Sequence, residues 1–413
     1  MSKVTKDSLD PVKLMTSTST NESKISVETQ ETACEALKQM IFPFVLSGFG
    51  NLGAALILSS VELWPVFVNI PQLNALVPPL LGLKGNVELT LSSRLSTHAN
   101  LGRFKKKKKR NDIFVGNLAL VQFQSCIIGL CAPLIVLAID AIVYSIRRED
   151  STQKITWTKF LVVVGSAVIT TNVASIVLGV LICIVIYVCK INFKINPDNV
   201  ASPIAASCGD IVTMALLAFT SNYIYNSFET NTYWIPITLT TLLVTLSLYW
   251  ALIAYRNKYT TNTVFTGFTP ITFAMIIQVV SGFVLQNSVY YFTMFGVYQI
   301  IMTGFGGDLV AVQCSRHSTF LHRTSTSPKL PESHPHIFIT PWSMYFSNNL
   351  ISRFALLLLL IAAPSQIPFL FITVLIEKYA KATALFFITY SITSTTHVAV
   401  VVYIAFLFVQ LMW

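Results

Sequence analysis

An apolar segment of the chain contains the polar motif Pro78-Pro79-Leu80-Leu81-Gly82-Leu83-Lys84-Gly85-Asn86-Val87-Glu88. The motif continues through Ser93-Arg94 to Ser96-Thr97, and a second copy begins at Gly304-Phe305-Gly306-Gly307-Asp308. Of the sixteen residues from Gly82 to Thr97, six are identical in the second copy, which lies 222 residues further along the chain. Asn86 and Asp308 occupy equivalent positions. The sequence is therefore predicted to contain an internal duplication, with polar groups set into apolar surroundings in both copies.

The composition indicates a protein whose main solvent is lipid. Only 11% of the 413 residues are Asp, Glu, Lys or Arg, and 54% are hydrophobic, whereas soluble domains carry about 25% charged residues. The net charge of +10 is concentrated, because seven basic residues lie between Arg103 and Arg110. These figures exclude a soluble enzyme, a disordered protein and a nucleic-acid binder built on a basic face. The expected partner is the lipid bilayer, and no nucleic acid is expected.

Ten apolar stretches are long enough to cross a bilayer. They lie at 40–61, 71–99, 113–145, 157–189, 200–226, 234–255, 266–286, 289–315, 351–376 and 384–413. Each should be a helix, because backbone groups in hydrocarbon need partners within their own segment. The alternating pattern of a membrane β-barrel is absent. The predicted fold is all-α, a polytopic transmembrane helical bundle of about ten spans.

The duplication predicts how these spans are organised. Five spans precede residue 227, and the span at 234–255 joins the two halves. An odd connecting span makes the two copies parallel, related by an axis along the membrane normal. We therefore predict a tail at 1–38, a first repeat at 39–227, a connecting helix at 228–260 and a second repeat at 261–413.

The distribution of basic residues predicts the orientation in the membrane. With the N-terminus inside the cell, nineteen Lys and Arg residues lie in inside segments and six in outside segments. Because inside loops carry an excess of basic residues, the tail is predicted to be cytoplasmic. The run from Arg103 to Arg110 then lies in a cytoplasmic loop next to the membrane.

Several polar groups within the spans are candidate ligands for a cation. Asp210 lies in the fifth span, where a lone carboxylate costs about 2.5–3.5 kcal/mol unless it faces a cavity, an ion or a basic partner. Mg²⁺ prefers oxygen ligands and keeps some of its water. The candidate ligands are Asp210, Asn86, Asp308 and Glu88. The same groups could also bind Na⁺ or H⁺. For Glu88 there is an alternative role, since Lys84 lies one helical turn away and the two side chains could form an ion pair.

The spacing Gly82-x-x-Gly85 has two interpretations. It fits an interrupted helix whose carbonyl groups face a cavity, and it also fits close packing of helices at small residues. The polar residues that follow the glycines favour the cavity, because packing alone does not require them.

These motifs resemble the solute carrier family 41 magnesium transporters, eukaryotic relatives of the bacterial MgtE channel. The resemblance rests on Pro78 to Glu88 with Ser93 to Thr97, on Asn196 to Ala201 and Pro203 to Asp210, and on Phe42-Pro43-Phe44 with Gly48-Phe49-Gly50. It implies two five-helix units around a central cation path, with Asp210 lining that path and holding Mg²⁺. It also implies Mg²⁺ as the transported ion, Na⁺ as a candidate coupling ion, no cofactor and a place in the plasma membrane.

The sequence departs from the family pattern at two points. Asp308 stands where the family usually has Asn, which adds an acidic group to the expected path. The interval from Gly82 to Asp210, counted from Gly304, ends beyond Trp413, so the second repeat is expected to lack its last helix. The alternative function is then a shortened, non-conducting subunit or modulator of a full-length family member. A homo-oligomer or a full-length relative would be its partner.

Intramembrane proteolysis is the enzymatic alternative to transport. Asp210 and Asp308 could form the paired carboxylates of an intramembrane aspartyl protease. Such proteases have a Gly-x-Gly-Asp pattern, but Ser207 and Phe305 stand at the first glycine. The chain is therefore predicted not to be an enzyme.

Overall fold

The computed structural model describes residues 33–100, 102–147, 156–190, 198–292, 294–324, 329–330, 338–347, 350–377 and 383–413. Ten long helices lie within these residues. They are α1 (Ala33–Val61), α2 (Gln72–Asn100), α3 (Lys107–Arg147), α4 (Trp157–Val188), α5 (Asp198–Glu229), α6 (Trp234–Arg256), α7 (Phe268–Tyr291), α8 (Phe295–Thr324), α9 (Leu350–Ile376) and α10 (Ala384–Met412). Short helices occur at Pro65–Asn69, Arg103–Lys105, Thr261–Thr266 and Pro341–Phe346.

Every predicted span corresponds to one of the ten long helices, and the described residues contain no strand. The prediction of an all-α polytopic bundle is confirmed. Eight helical segments are long and apolar enough to cross a membrane by length and composition. The other two long helices are α2 and α5, which carry Lys84, Glu88 and Asp210. These two helices are less apolar because they hold the polar groups of the central region.

The predicted interruption of the helix at the Gly-x-x-Gly motif is wrong. Both α2 and α8 run without a break through the motif, so the carbonyl groups there are engaged within the helices. A glycine lowers helix stability by about 1 kcal/mol relative to alanine, which packing against neighbouring helices can offset. The glycines therefore do not break the helix. Gly82 and Gly304 allow close contacts with neighbouring helices, and Gly85 and Gly307 border open space.

The arrangement of the helices follows the duplication. Helices α1 to α4 of the first half correspond in order to α7 to α10 of the second, and α6 packs beside the first half against α3 and α4. Helix α1 packs against α8, whereas α7 packs against α2. The first helix of each half thus lies against the second helix of the other half. The largest cluster of buried hydrophobic residues includes residues of both halves, and a second cluster lies between α8, α9 and α10.

Glycine allows the helices to approach closely at these two crossings. A Cβ atom placed on Gly304 of α8 would lie 2.4 Å from the side chain of Asn51 on α1. A Cβ atom on Gly82 of α2 would lie 2.5 Å from Gln278 on α7. Gly82 and Gly304 are equivalent in the repeat, so the duplicated sequence makes equivalent contacts between the halves.

The predicted domain boundaries remain a prediction. The tail at 1–38 lies outside the described residues except for 33–38, which form the beginning of α1. Helix α5, the last helix of the predicted first repeat, packs against α1, α2 and α4. The second repeat from residue 261 contains α7 to α10.

Candidate functional site

Asp210 lies within electrostatic reach of two other acidic side chains from different helices, Glu88 and Asp308. Glu88 lies near the middle of α2, and Asp308 lies near the middle of α8. Asp210 lies on α5, and the charges of both Asp308 and Glu88 act on it. Positions far apart in the sequence are thus close enough in the fold for their charges to interact.

Asp210 differs from the other two acidic residues because it has no hydrogen-bond donor among the described residues. Its side chain is partly exposed, and among the described residues no protein group donates a hydrogen bond to it. Helix α5 approaches α1 closely at this point, because a Cβ atom on Gly50 would lie 2.3 Å from the Cα atom of Ser207. An ionised carboxylate within a span and without a protein donor needs water or a cation as its partner.

Asp308 is held by neutral groups of α1. The hydroxyl of Ser47 donates a hydrogen bond to Oδ2 of Asp308 over 2.5 Å. The side chain of Asn51, one helical turn further along α1, also lies beside Asp308. Both α1 residues are buried, whereas Asp308 remains partly exposed. Asp308 is therefore fixed in position, although the residue as a whole is not fully buried.

Glu88 is held by a basic group of its own helix. Lys84 and Glu88 form an ion pair within α2, and both side chains are only 1% exposed. The pair that the sequence offered as the structural alternative for Glu88 is therefore present, and the assignment of Glu88 as a cation ligand remains a prediction. Oε1 of Glu88 accepts from Lys84, whereas Oε2 is buried and has no hydrogen-bond partner among the described residues. A Cβ atom on Gly209 would lie 2.7 Å from Oε2, so Glu88 is directed at α5 immediately beside Asp210.

Asn86 lies on another face of α2 and is exposed. Open space surrounds the neighbouring Gly85, because a Cβ atom there would meet nothing within 4 Å, and the same holds for the equivalent Gly307. Three more exposed polar residues continue from Asn86 at helical spacing toward the end of α2, namely Thr90, Ser93 and Thr97. Thr90 and Thr97 donate to carbonyl groups of α2 itself, whereas the exposed amide of Asn86 is unfavourable against lipid and is better placed in contact with water.

The four predicted ligands thus differ in placement. Glu88, Asp210 and Asp308 share one neighbourhood, whereas Asn86 faces the open side of α2. Within the described residues, no group of three or more His, Cys, Asp or Glu side chains could hold a metal ion directly. This arrangement is suited to an ion that keeps part of its hydration shell, as Mg²⁺ commonly does.

The sequence did not indicate two residues that shape this site. Ser47 and Asn51 of α1 support Asp308, and their partner is more than 250 residues away along the chain. The only sequence pattern near them is the Gly48-Phe49-Gly50 motif. This motif indicates close helix packing and does not show that Ser47 would donate to an acidic residue. Asp140 on α3 lies outside the acidic group, where Gln72 donates to it over 2.8 Å.

Comparisons with known proteins agree with this architecture. The family MgtE, described as a divalent cation transporter, matches residues 77–220, which run from α2 to α5. Solute carrier family 41 member 3 of Mus musculus is 37% identical over 91% of this chain and 75% of the relative. Member 3 of Rattus norvegicus is 36% identical over 93% of this chain and 81% of the relative. Member 2 of Homo sapiens is 35% identical over 91% of this chain and 64% of the relative. No solved structure matches the chain.

The helical bundle and the matched family define an integral, multi-pass membrane protein of the divalent cation transporter class. This is a class of transporters and not of enzymes. Within it, the chain belongs to solute carrier family 41. The resemblance noted from the motifs is thereby confirmed.

Proposed function

We propose that this protein transports Mg²⁺ along a path between its two halves, with Asp210, Asp308 and Glu88 as the acidic groups that attract the ion. The observation that carries this proposal is the meeting of three carboxylates at mid-bundle, two of them partly exposed. A hard divalent cation prefers carboxylate oxygens and water. Carboxylates that lie close together within a membrane bundle are stabilised by the transient binding of a cation.

The proposed path leaves the acidic group along α2. Gly85 and Gly307 border open space at equivalent positions of the two halves. The exposed face from Asn86 to Thr97 continues toward the end of α2 that precedes the basic run at Arg103–Arg110. With the N-terminus inside, as the basic residues predict, this end of α2 is cytoplasmic. Family membership makes the plasma membrane the proposed location and Na⁺ the proposed coupling ion.

Uptake into sealed proteoliposomes tests this function. The purified chain is reconstituted with a Mg²⁺-sensitive dye inside the vesicles, and dye fluorescence is followed after Mg²⁺ is added, with and without a Na⁺ gradient. We expect uptake by the wild-type protein and a loss of at least about a hundredfold in Asp210→Asn, because the exposed carboxylate without a protein donor is removed.

The matched control is Asp140→Asn, which removes a membrane carboxylate outside the acidic group. Its bond from Gln72 can be kept by the amide oxygen of Asn, so transport should stay near the wild-type rate. Equal rates in Asp210→Asn and the wild type, at equal protein per vesicle, would exclude Asp210 from the path. No uptake by the wild-type chain would contradict the function itself.

A further inference from the structure

The Lys84–Glu88 pair occurs in only one of the two halves. The positions equivalent to Lys84 and Glu88 in α8 are Gly306 and Val310, which carry no charge. The pair is also costly, because two charges are removed from water at 1% exposure. A structural role in helix packing would be met as well by an apolar pair, as it is in α8. The charges themselves therefore require an explanation.

Glu88 lies next to Asp210, and one of its two carboxylate oxygens is not engaged by Lys84. Lys84 occupies one oxygen of Glu88, and the other oxygen is buried and faces Gly209, next to Asp210. Glycine at 209 provides the space for this oxygen, because any side chain would meet it at 2.7 Å. Lys84 thus adds its positive charge beside the acidic group while Oε2 of Glu88 stays free of a hydrogen bond.

The charges of these residues add to a simple total. Glu88, Asp210 and Asp308 contribute three negative charges when ionised, and Lys84 contributes one positive charge. The site therefore has a net charge of minus two, which a single divalent cation neutralises. In a medium of low dielectric constant, a mismatch of one charge has a large effect on the affinity for an ion.

We propose that Lys84 is a specificity-determining residue, a built-in counter-ion that sets the net charge of the acidic site to match one divalent cation. This inference rests on the proposed function, since it assumes that the cation occupies this site. Without Lys84 the ionised site carries one negative charge too many for a divalent cation. With Lys84 and without Glu88, the site matches a monovalent cation.

Paired charge changes test the inference by binding as well as by transport. The purified protein in detergent is titrated with MgCl₂ at constant ionic strength, and the rise in unfolding temperature gives an apparent Mg²⁺ affinity. The variants are Glu88→Gln, Asp308→Asn, the double variant Glu88→Gln/Lys84→Met and the double variant Asp308→Asn/Lys84→Met. Asp140→Asn is the control for removal of a membrane carboxylate outside the site.

We expect Glu88→Gln and Asp308→Asn each to weaken Mg²⁺ binding by at least about tenfold, because either change leaves a net charge of minus one. Adding Lys84→Met to either variant restores minus two and should return the affinity to within about threefold of the wild type. Should Glu88→Gln alone fail to fold with Lys84 unpaired, Asp308→Asn with and without Lys84→Met gives the same comparison with Glu88 in place.

Two results separate this inference from the proposed function. Wild-type binding of Mg²⁺ without rescue in either double variant would overturn the role of Lys84 and leave the site itself in place. Absence of both Mg²⁺-dependent stabilisation and uptake in the wild type would overturn the proposed function, and the inference with it. Rescue in the double variants is not expected if the pair only supports the packing of α2.

Discussion

Helix α2 of the first half and its counterpart α8 differ in charge at equivalent positions. Lys84 and Glu88 of α2 correspond to Gly306 and Val310 of α8, whereas Asn86 corresponds to Asp308. The contacts that join the halves are retained in both copies. In each, an outer glycine receives a polar side chain from the first helix of the other half. The two copies thus share their packing contacts and differ in their charges.

The comparison shows two ways to hold a carboxylate inside a membrane bundle. Glu88 is paired with a full positive charge, and it is almost completely buried. Asp308 is supported by the neutral donor Ser47, with Asn51 beside it, and stays partly exposed. The fully buried carboxylate is thus the one with a charged partner, and the partly exposed carboxylate is the one with a neutral donor. The two halves therefore build a single asymmetric site and not two equal ones.

The largest expected effect tests the glycines that both halves share. Leucine at Gly304 must displace the Asn51 side chain, which lies 2.4 Å from the Cβ position, and should lower the free energy of unfolding by about 3 kcal/mol. Leucine at Gly82 should have a similar effect through Gln278, at 2.5 Å. The measurement is the thermal unfolding temperature of each purified variant in detergent.

The controls lie within the same motifs. Leucine at Gly85 or at Gly307 enters open space, so the unfolding temperature should stay near that of the wild type while transport falls because the path is filled. Equal destabilisation at Gly304 and Gly307 would show that the two glycines of the motif do not have different roles.

A second prediction concerns the neutral support of Asp308. Ser47→Ala removes the hydroxyl that donates to Oδ2 and should destabilise the protein by about 1.5 kcal/mol, since bonds to charged groups contribute more than neutral ones. It should also slow Mg²⁺ uptake, because Asp308 is no longer fixed. Ser60→Ala is the control, since this exposed residue of the same helix only donates to the carbonyl of Leu56. A decrease of the same size in both variants would mean that the bond to Asp308 has no special role.

A third prediction concerns Gly209, which allows the close approach of Glu88. In Gly209→Ala the stability should change by less than about 1 kcal/mol, because the helix propensity of alanine offsets the displacement of Oε2. The apparent Mg²⁺ affinity should fall several-fold, because Glu88 moves away from Asp210. The control is Gly53→Ala on α1, whose Cβ would lie 2.9 Å from the apolar end of Ile211 on α5. An unchanged affinity in Gly209→Ala would show that the position of Oε2 does not matter for the ion.

The fold was largely predictable from the sequence, whereas the site was predictable only in part. Apolar stretches predicted all ten long helices, because each helix satisfies its own backbone in lipid, and eight of these helices contain a segment apolar enough to cross a membrane. The duplication indicated that Asp308 matters, and the helical spacing indicated the Lys84–Glu88 pair. The motif could not decide whether Gly82 breaks a helix or packs against Gln278, because glycine serves both purposes. Contacts such as Ser47 to Asp308 depend on which helices cross, and sequence spacing carries no signal for that.

The smallest expected effect concerns Glu62 and Glu377, which follow α1 and α9 where the two halves meet. The pKa of Glu62 is raised from 4.5 to about 7, first by burial and second by the charge of Glu377. The folded state therefore favours protonated Glu62, and stability should decrease as the pH rises from about 4.5 to about 7. Because the group is partly exposed, the loss should stay below about 1 kcal/mol.

Glu62→Gln should accordingly raise the unfolding temperature at pH 8 but not at pH 4.5. The control is Glu229→Gln, which removes an exposed acid at the end of α5 and should not change the unfolding temperature at either pH. If Glu62→Gln shifts the unfolding temperature equally at both pH values, then the ionisation of Glu62 does not weaken the contact between the halves.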